Sequence, residues 1–147
     1  MTLFNEEEKI KIFEKDEKST LSSFQGKHLL VELYGCNNKK LDDESYLRCL
    51  INNSAKLANA TILNLISNKF EPQGVTAIAL LAESHLSIHT WPEAQYAALD
   101  IFTCGKNMKP DLACNFLIDS LEAKEHILKT IDRHYPASIE SKLRSSL

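Results

Sequence analysis

Between Ala82 and Gly105 the sequence reads AESHLSIHTWPEAQYAALDIFTCG, and most of its reactive residue types are gathered there. The stretch holds Glu83, Ser84, His85, His89, Glu93, Cys104 and the single tryptophan, Trp91. A serine beside an acid, with histidine and cysteine downstream, has the makings of nucleophilic or acid–base chemistry. Ser84 has no Gly-x-Ser-x-Gly frame around it, so a hydrolase nucleophile elbow is not indicated. His85 and His89 have a spacing that binds zinc well on a helix, where both share a face. Here Ile88, Thr90, Trp91 and Pro92 argue for extended chain, which separates the two by ~13 Å, and no metal is expected. Ser84 and His89 differ by an odd number of positions, so one unbroken strand sets them on opposite faces. A bend at Glu83-Ser84 is therefore expected if they are to meet.

The elements around this stretch must hold it. Val75 to Leu81 and Ala97 to Phe102 are strongly apolar and read as buried strands on either side. Upstream, Lys27 to Tyr34 reads as a strand with Leu29, Val31 and Leu33 on one face and Leu30, Glu32 and Tyr34 on the other. A helix is expected from Asp43 to Ala58, capped by Asp42 or Asp43, with Leu47, Leu50, Ile51, Leu57 and Ala58 on its apolar stripe. Thr61 to Ser67 reads as a strand, and Pro72 with Gly74 bends the chain into Val75 to Ala82. Ser84 to Trp91 continues extended up to Pro92, and Ala97 to Cys104 follows, ended by Gly105. A helix starts at Pro110 and runs to about Leu121, with Leu112, Phe116, Leu117 and Leu121 inward. His126 to Ile131 alternates as a last strand. The order β-α-β-β-β-β-α-β predicts a two-layer α/β (α+β) sandwich, a mainly antiparallel sheet with helices on one face.

One domain is expected for 147 residues, since single cores run ~100–200. We place it at residues 27–135, between a charged N-terminal extension (1–26) and a loose C-terminal tail (136–147). The extension offers only a thin stripe, Ile10 and Phe13, for a short helix over Glu6 to Lys15. A net charge of −3 argues against a nucleic-acid partner. No run approaches the ~20 apolar residues of a membrane span, and Glu6, Glu7 and Glu8 sit where the core of a signal peptide would be. Cys36, Cys49, Cys104 and Cys114 are accordingly read as reduced thiols in a cytoplasmic protein. Cys36, Cys49 and Cys114 are read as packing or surface residues and His85 as structural, outside the chemistry.

The run from Glu83 to Glu93, followed by Asp100-Ile101-Phe102-Thr103-Cys104-Gly105, resembles the small prokaryotic S-adenosylmethionine decarboxylases. The likeness extends upstream through Phe70 to Val75 and His28 to Cys36, covering roughly residues 27 to 131. It implies the same two-layer architecture. It also implies that Ser84 is consumed in self-processing: its hydroxyl attacks the Glu83 carbonyl, turning the amide into an ester. Loss of the Ser84 α-proton then expels the Glu83 carboxylate, and hydrolysis of the dehydroalanine leaves a pyruvoyl group at position 84. Two chains result, 1–83 and 84–147. Decarboxylation of an amino acid needs an electron sink at Cα, and none of the side chains is an electrophilic ketone. The pyruvoyl carbonyl fills that need through a Schiff base with the substrate amine.

The same resemblance assigns roles to further residues. His89 assists processing by taking the Ser84 α-proton, a task suited to an imidazole. Cys104 protonates the decarboxylated Cα. At position 76 the family commonly carries a serine that holds the processing intermediate; Thr76 keeps the hydroxyl, with a branch that restricts its rotamers. Phe70 matches the residue against the adenine, and Glu93 the one near the ribose. Trp91 is a further candidate, since aromatic faces attract both a flat base and a sulfonium cation, although it fits a core position equally. The implied activity is decarboxylation of S-adenosylmethionine to the aminopropyl donor of spermidine biosynthesis, in homodimers whose sites are completed across the interface. Two other readings stand beside it: the same machinery acting on arginine or ornithine, and an unprocessed homologue serving as a binding or regulatory subunit. Residues in the pocket separate the first, and mass spectrometry the second.

Overall fold

Alternating apolar and polar side chains build the sheet. The computed structural model describes residues 25–146, so the predicted helix over Glu6 to Lys15 and nearly all of the N-terminal extension lie outside the described residues. Strand β1 (Gln25–Tyr34) buries Leu29, Val31 and Leu33. It is followed by a one-turn helix, α1 (Asn38–Leu41), and by α2 (Glu44–Leu57). Strands β2 (Ile62–Lys69), β3 (Val75–Leu81), β4 (Ser84–Trp91) and β5 (Tyr96–Cys104) then run in succession. Helix α3 (Pro110–Ser120) and strand β6 (Glu125–His134) complete the layer pair. The strand order is β2-β3-β4-β5-β1-β6, and the pairs β2/β3, β3/β4, β4/β5 and β5/β1 are antiparallel.

Side-chain caps set the starts of the first two helices. The Asn37 side chain accepts from the N–H groups of Lys39 and Lys40, and Asp43 accepts from the Tyr46 N–H at 2.9 Å. Pro110, with no N–H to leave unpaired, opens α3. Helix α2 buries Leu47, Leu50, Ile51 and Ala55, while α3 buries Ala113, Cys114 and Leu117. These join Leu29, Val31, Leu33, Ala77, Ala79, Leu86, Ile88, Leu99 and Ile101 in one core. Both helices therefore cover the same face of the sheet, as the two-layer sandwich requires.

The differences from expectation have physical causes. β1 begins at Gln25 and pairs with β5 from Gly26, so the strand reaches two residues into the expected extension. Leu112 and Leu57 are exposed, because the buried stripes centre on Pro110, Ala113, Cys114 and Leu117 in α3 and on Leu47, Leu50, Ile51 and Ser54 in α2. Burial pushes the thiols of Cys36 and Cys114 each up to about 11, which makes them inert packing residues. Where a loose tail was expected, α4 (Ala137–Arg144) forms, with Glu140 and Arg144 paired at 3.0 Å across one turn. The compact body spans Gly26–Asp132, and α4 belongs to a separate unit that takes in the chain from Arg133.

The face opposite α2 and α3 is where the reactive residues stand. Thr76, Ile78 and Leu80 of β3 alternate with the buried residues of that strand. His85, His89 and Trp91 do so on β4, as do Phe102 and Cys104 on β5. Ile66, Leu80 and Trp91 remain well exposed there.

Candidate active site

The turn between β3 and β4 is only Ala82 and Glu83, and it is tied to the start of β2. The Ala82 N–H donates to Thr61 O at 2.9 Å, and the Thr61 N–H donates to the Glu83 carboxylate at 2.9 Å. Ser84 opens β4 with φ at 144°, a conformation that side-chain-bearing residues rarely adopt. Backbone strain thus sits at the residue following the Glu83–Ser84 bond. Antiparallel pairing with β5 brings Cys104 alongside. Its N–H donates to the Glu83 carbonyl at 2.9 Å, and its Sγ lies 3.3 Å from Ser84 Oγ. Gly26 pairs with Cys104 from β1; a Cβ there would fall 2.5 Å from the Phe102 ring and 3.1 Å from Cys104 Sγ. The bare glycine leaves the thiol its room.

This end of the sheet can therefore do one thing well. A hydroxyl sits next to a carbonyl that is already polarised by a fixed backbone donor, and charge developing on that oxygen is met by the same donor. Sequence reasoning finds the serine and the cysteine but not the Cys104 N–H or the role of Gly26. Both depend on the β4/β5 and β5/β1 registers, which no local pattern states.

The other group lies at the opposite end of the same strands. His89 pairs with Thr76 on β3 and with Ala98 on β5, and its Nδ1 is 2.9 Å from Thr76 Oγ1. The His89 ring is 6.5 Å from that of Trp91, which stacks on Tyr96 at 5.1 Å. Tyr34 stacks on Tyr96 in turn at 5.5 Å. The Tyr96 hydroxyl donates to Glu32, and that bond, with burial, pushes the phenol up to about 12. Trp91 is thus an exposed member of an aromatic ladder and not a core residue. Phe70 follows β2 and is half exposed, and Glu93 is exposed on the 3-10 turn Pro92–Ala94.

The predicted bend does not bring these groups together. The distortion at Ser84 is real, but β4 then runs without a break to Trp91, pairing Ser84 with Leu81 and His89 with Thr76. Five residues of strand hold Ser84 and His89 roughly 16 Å apart. Ladder pairing on both sides of β4 leaves no room for a sharper turn. One chain therefore carries the candidate residues in two separate groups: Glu83, Ser84 and Cys104 at one end, and Phe70, Thr76, His89, Trp91 and Glu93 at the other. His85 takes part in neither; its ring packs 5.7 Å from Phe102 and 6.0 Å from His28, which is itself 3.0 Å from Asp100. A cavity of about 410 Å³ lined by Gly35, Cys36, Asn37, Gln95, Glu122 and Lys124, among others, contains none of the predicted residues.

Comparison with known proteins bears on this geometry directly. Residues 27–134 match the family model described as S-adenosylmethionine decarboxylase. A protein of Prochlorococcus marinus named S-adenosylmethionine decarboxylase proenzyme is 56% identical over 119 residues, covering 81% of this chain and 95% of that one. One of the same name from Methanococcus maripaludis is 50% identical over 86 residues, or 58% of this chain and 70% of that one. The crystal structure of the adenosylmethionine decarboxylase from Aquifex aeolicus superposes with a TM-score of 0.73 at 36% identity, covering 78% of this chain and 94% of the other. The match spans the body of the fold and both groups of candidate residues, and the chain belongs to the S-adenosylmethionine decarboxylase family.

Proposed function

We propose that this protein decarboxylates S-adenosylmethionine, yielding the aminopropyl donor for spermidine biosynthesis, after cutting its own chain between Glu83 and Ser84. The observation that carries the reading is the contact set at the cut: Ser84 Oγ beside Cys104, and the Cys104 N–H on the Glu83 carbonyl at 2.9 Å. Attack by the Ser84 hydroxyl on that carbonyl gives an oxyanion held by the Cys104 N–H, and collapse exchanges the amide for an ester. Removal of the Ser84 α-proton releases the Glu83 carboxylate, leaving chains 1–83 and 84–147. The decarboxylase domain, residues 27–135, is thereby divided within its central hairpin, whose strands stay paired through β2 and β5.

The residues around Ser84 fit a pyruvoyl group at that position, because Cys104 Sγ lies 3.3 Å from Ser84 Oγ and Gly26, lacking a Cβ, does not crowd that thiol. Once formed, its carbonyl supplies the electron sink for loss of carbon dioxide. The Cys104 thiol then returns a proton to the substrate Cα. Phe70 offers a face to the adenine, Glu93 accepts from the ribose hydroxyls, and Trp91 extends the aromatic wall.

A homodimer completes the site. An antiparallel sheet can leave its second face to solvent, but here that face exposes Ile66, Ile78, Leu80 and Trp91, an apolar patch suited to a second copy. A two-fold axis between two such faces, running across the strands, sets the Ser84 end of one sheet against the His89 end of its partner. His89 of the partner subunit then takes the Ser84 α-proton, with Thr76 fixing the imidazole through Nδ1. The four free cysteines suit a reducing cytoplasm. Denaturing mass spectrometry should show the two fragments in the native protein and one full-length chain in Ser84→Ala. Carboxyl-labelled S-adenosylmethionine should release carbon dioxide where labelled arginine and ornithine do not. Cleavage in the Ser84→Ala protein would refute the acyl shift.

A further inference from the structure

The loop that carries Phe70 is closed by one backbone bond, from the Phe70 N–H to Gly74 O at 2.8 Å. Both of its flanks are held by Asp42, which lies between α1 and α2. Asp42 Oδ1 accepts from the Gly74 N–H at 2.9 Å, and Lys69 Nζ donates to the Asp42 carbonyl at 2.9 Å and to Oδ2 at 3.2 Å. The position of Asp42 is itself anchored one residue earlier. The buried Thr90 hydroxyl donates to Leu41 O at 2.8 Å and accepts from the Val75 N–H at 2.8 Å. Gly74 sits at φ 99°, and a Cβ there would lie 2.9 Å from Thr90 O, so the loop is pressed onto the end of β4.

We propose that Asp42 is a positioning residue for the substrate, holding the Phe70–Gly74 loop so that the Phe70 ring is already placed when the nucleoside arrives. The proposal rests on the reading of Phe70 as the adenine face. A half-exposed ring contributes to binding in proportion to how little ordering is left to do, and a loop freed at both flanks must be ordered by the ligand. The Gly74 N–H, and after it Lys69, hold the Asp42 carboxyl below the usual carboxylate range, so the clamp is charged at neutral pH. Asp42 touches neither Glu83, Ser84 nor Cys104, and its effect belongs to affinity alone.

The test is a double-mutant cycle on the self-processed enzyme, with KM and kcat measured separately. Asp42→Ala should raise KM for S-adenosylmethionine roughly 2- to 10-fold, from lost pre-ordering of one side chain and its loop. The value of kcat and the extent of self-cleavage should hold. Asp42→Asn keeps an oxygen for the Gly74 N–H and should recover most of the affinity. In a Phe70→Ala background Asp42→Ala should add nothing further. Hydrogen exchange at Gly74 should quicken in Asp42→Ala and not in Asp42→Asn. A KM that moves with Phe70→Ala but not with Asp42→Ala overturns the Asp42 proposal alone, and so does a full additional effect in the double variant. A KM unmoved by Phe70→Ala instead overturns the stacking role itself.

Discussion

The two ends of the β3-β4-β5 ribbon differ in what they can do. The Ser84 end is a strained hairpin with a polarised carbonyl, a hydroxyl and a thiol within contact of one another. The His89 end is regular strand, rich in aromatic rings, with an imidazole aligned by a threonine hydroxyl. On the proposed reading, one end holds the bond to be broken and the electrophile to be made, and the other holds the base and the surfaces that fit a nucleoside. On that reading neither end is sufficient alone, and a straight strand keeps them apart within one chain. A rigid sheet separates residues along its length, and the proposed two-fold dimer would reunite them.

Substitutions at the two ends should separate accordingly. The largest effects belong to the two proton-transfer residues: His89→Ala should slow self-cleavage by ~10²- to 10⁴-fold on losing a general base, despite the distance from Ser84 within one chain. The chain should stall as the ester, which hydroxylamine cleaves to give a fragment beginning with Ser84. Unaided maturation of that variant would break the comparison. Cys104→Ala should behave differently, since it keeps the backbone N–H on Glu83 O. Maturation should persist while kcat falls by ~10²- to 10⁴-fold for want of a proton donor, as single-turnover and steady-state assays would show.

Smaller effects should sharpen the division at the far end. Phe70→Ala should raise KM by roughly 5- to 150-fold through lost stacking, with maturation intact by mass spectrometry. Thr76→Val removes the bond to His89 Nδ1 and should slow self-cleavage by about 5- to 10-fold, an ordinary hydrogen-bond increment. Thr76→Ser, which keeps the hydroxyl and frees the rotamer, should restore the rate.

Much of this was legible in the sequence, for reasons that also mark the limit. Val75–Leu81 and Tyr96–Cys104 announce themselves because their buried faces make them apolar runs, and Ser84–Trp91 because Ile88, Thr90 and Trp91 favour extended chain up to Pro92. The short helix α1 did not, since Asn37 and Asn38 read as loop residues until the Asn37 cap is seen. Helix α4 carries only Ile139 and Leu143 as a stripe, too thin to be told from a polar tail. For the site, residue types were visible but not their partition. The odd spacing of Ser84 and His89 signals that one strand does not unite them, and the distortion at Ser84 does not bring them together within one chain. Strand pairing on both edges of β4 forbids a sharper turn. The Cys104 N–H on Glu83 O is a product of register and has no sequence signature.

Complementation between two defective chains tests most directly whether each site draws on both subunits of the proposed dimer. Ser84→Ala and His89→Ala chains, differently tagged, are co-expressed and the mixed dimer purified. Alone, neither chain should be cut. In the mixed dimer one site combines Ser84 from the His89→Ala chain with His89 from the Ser84→Ala chain. The account predicts cleavage of the His89→Ala chain at Glu83–Ser84, and of that chain only, with decarboxylase activity appearing alongside. A purified mixed dimer in which both chains stay whole would contradict it.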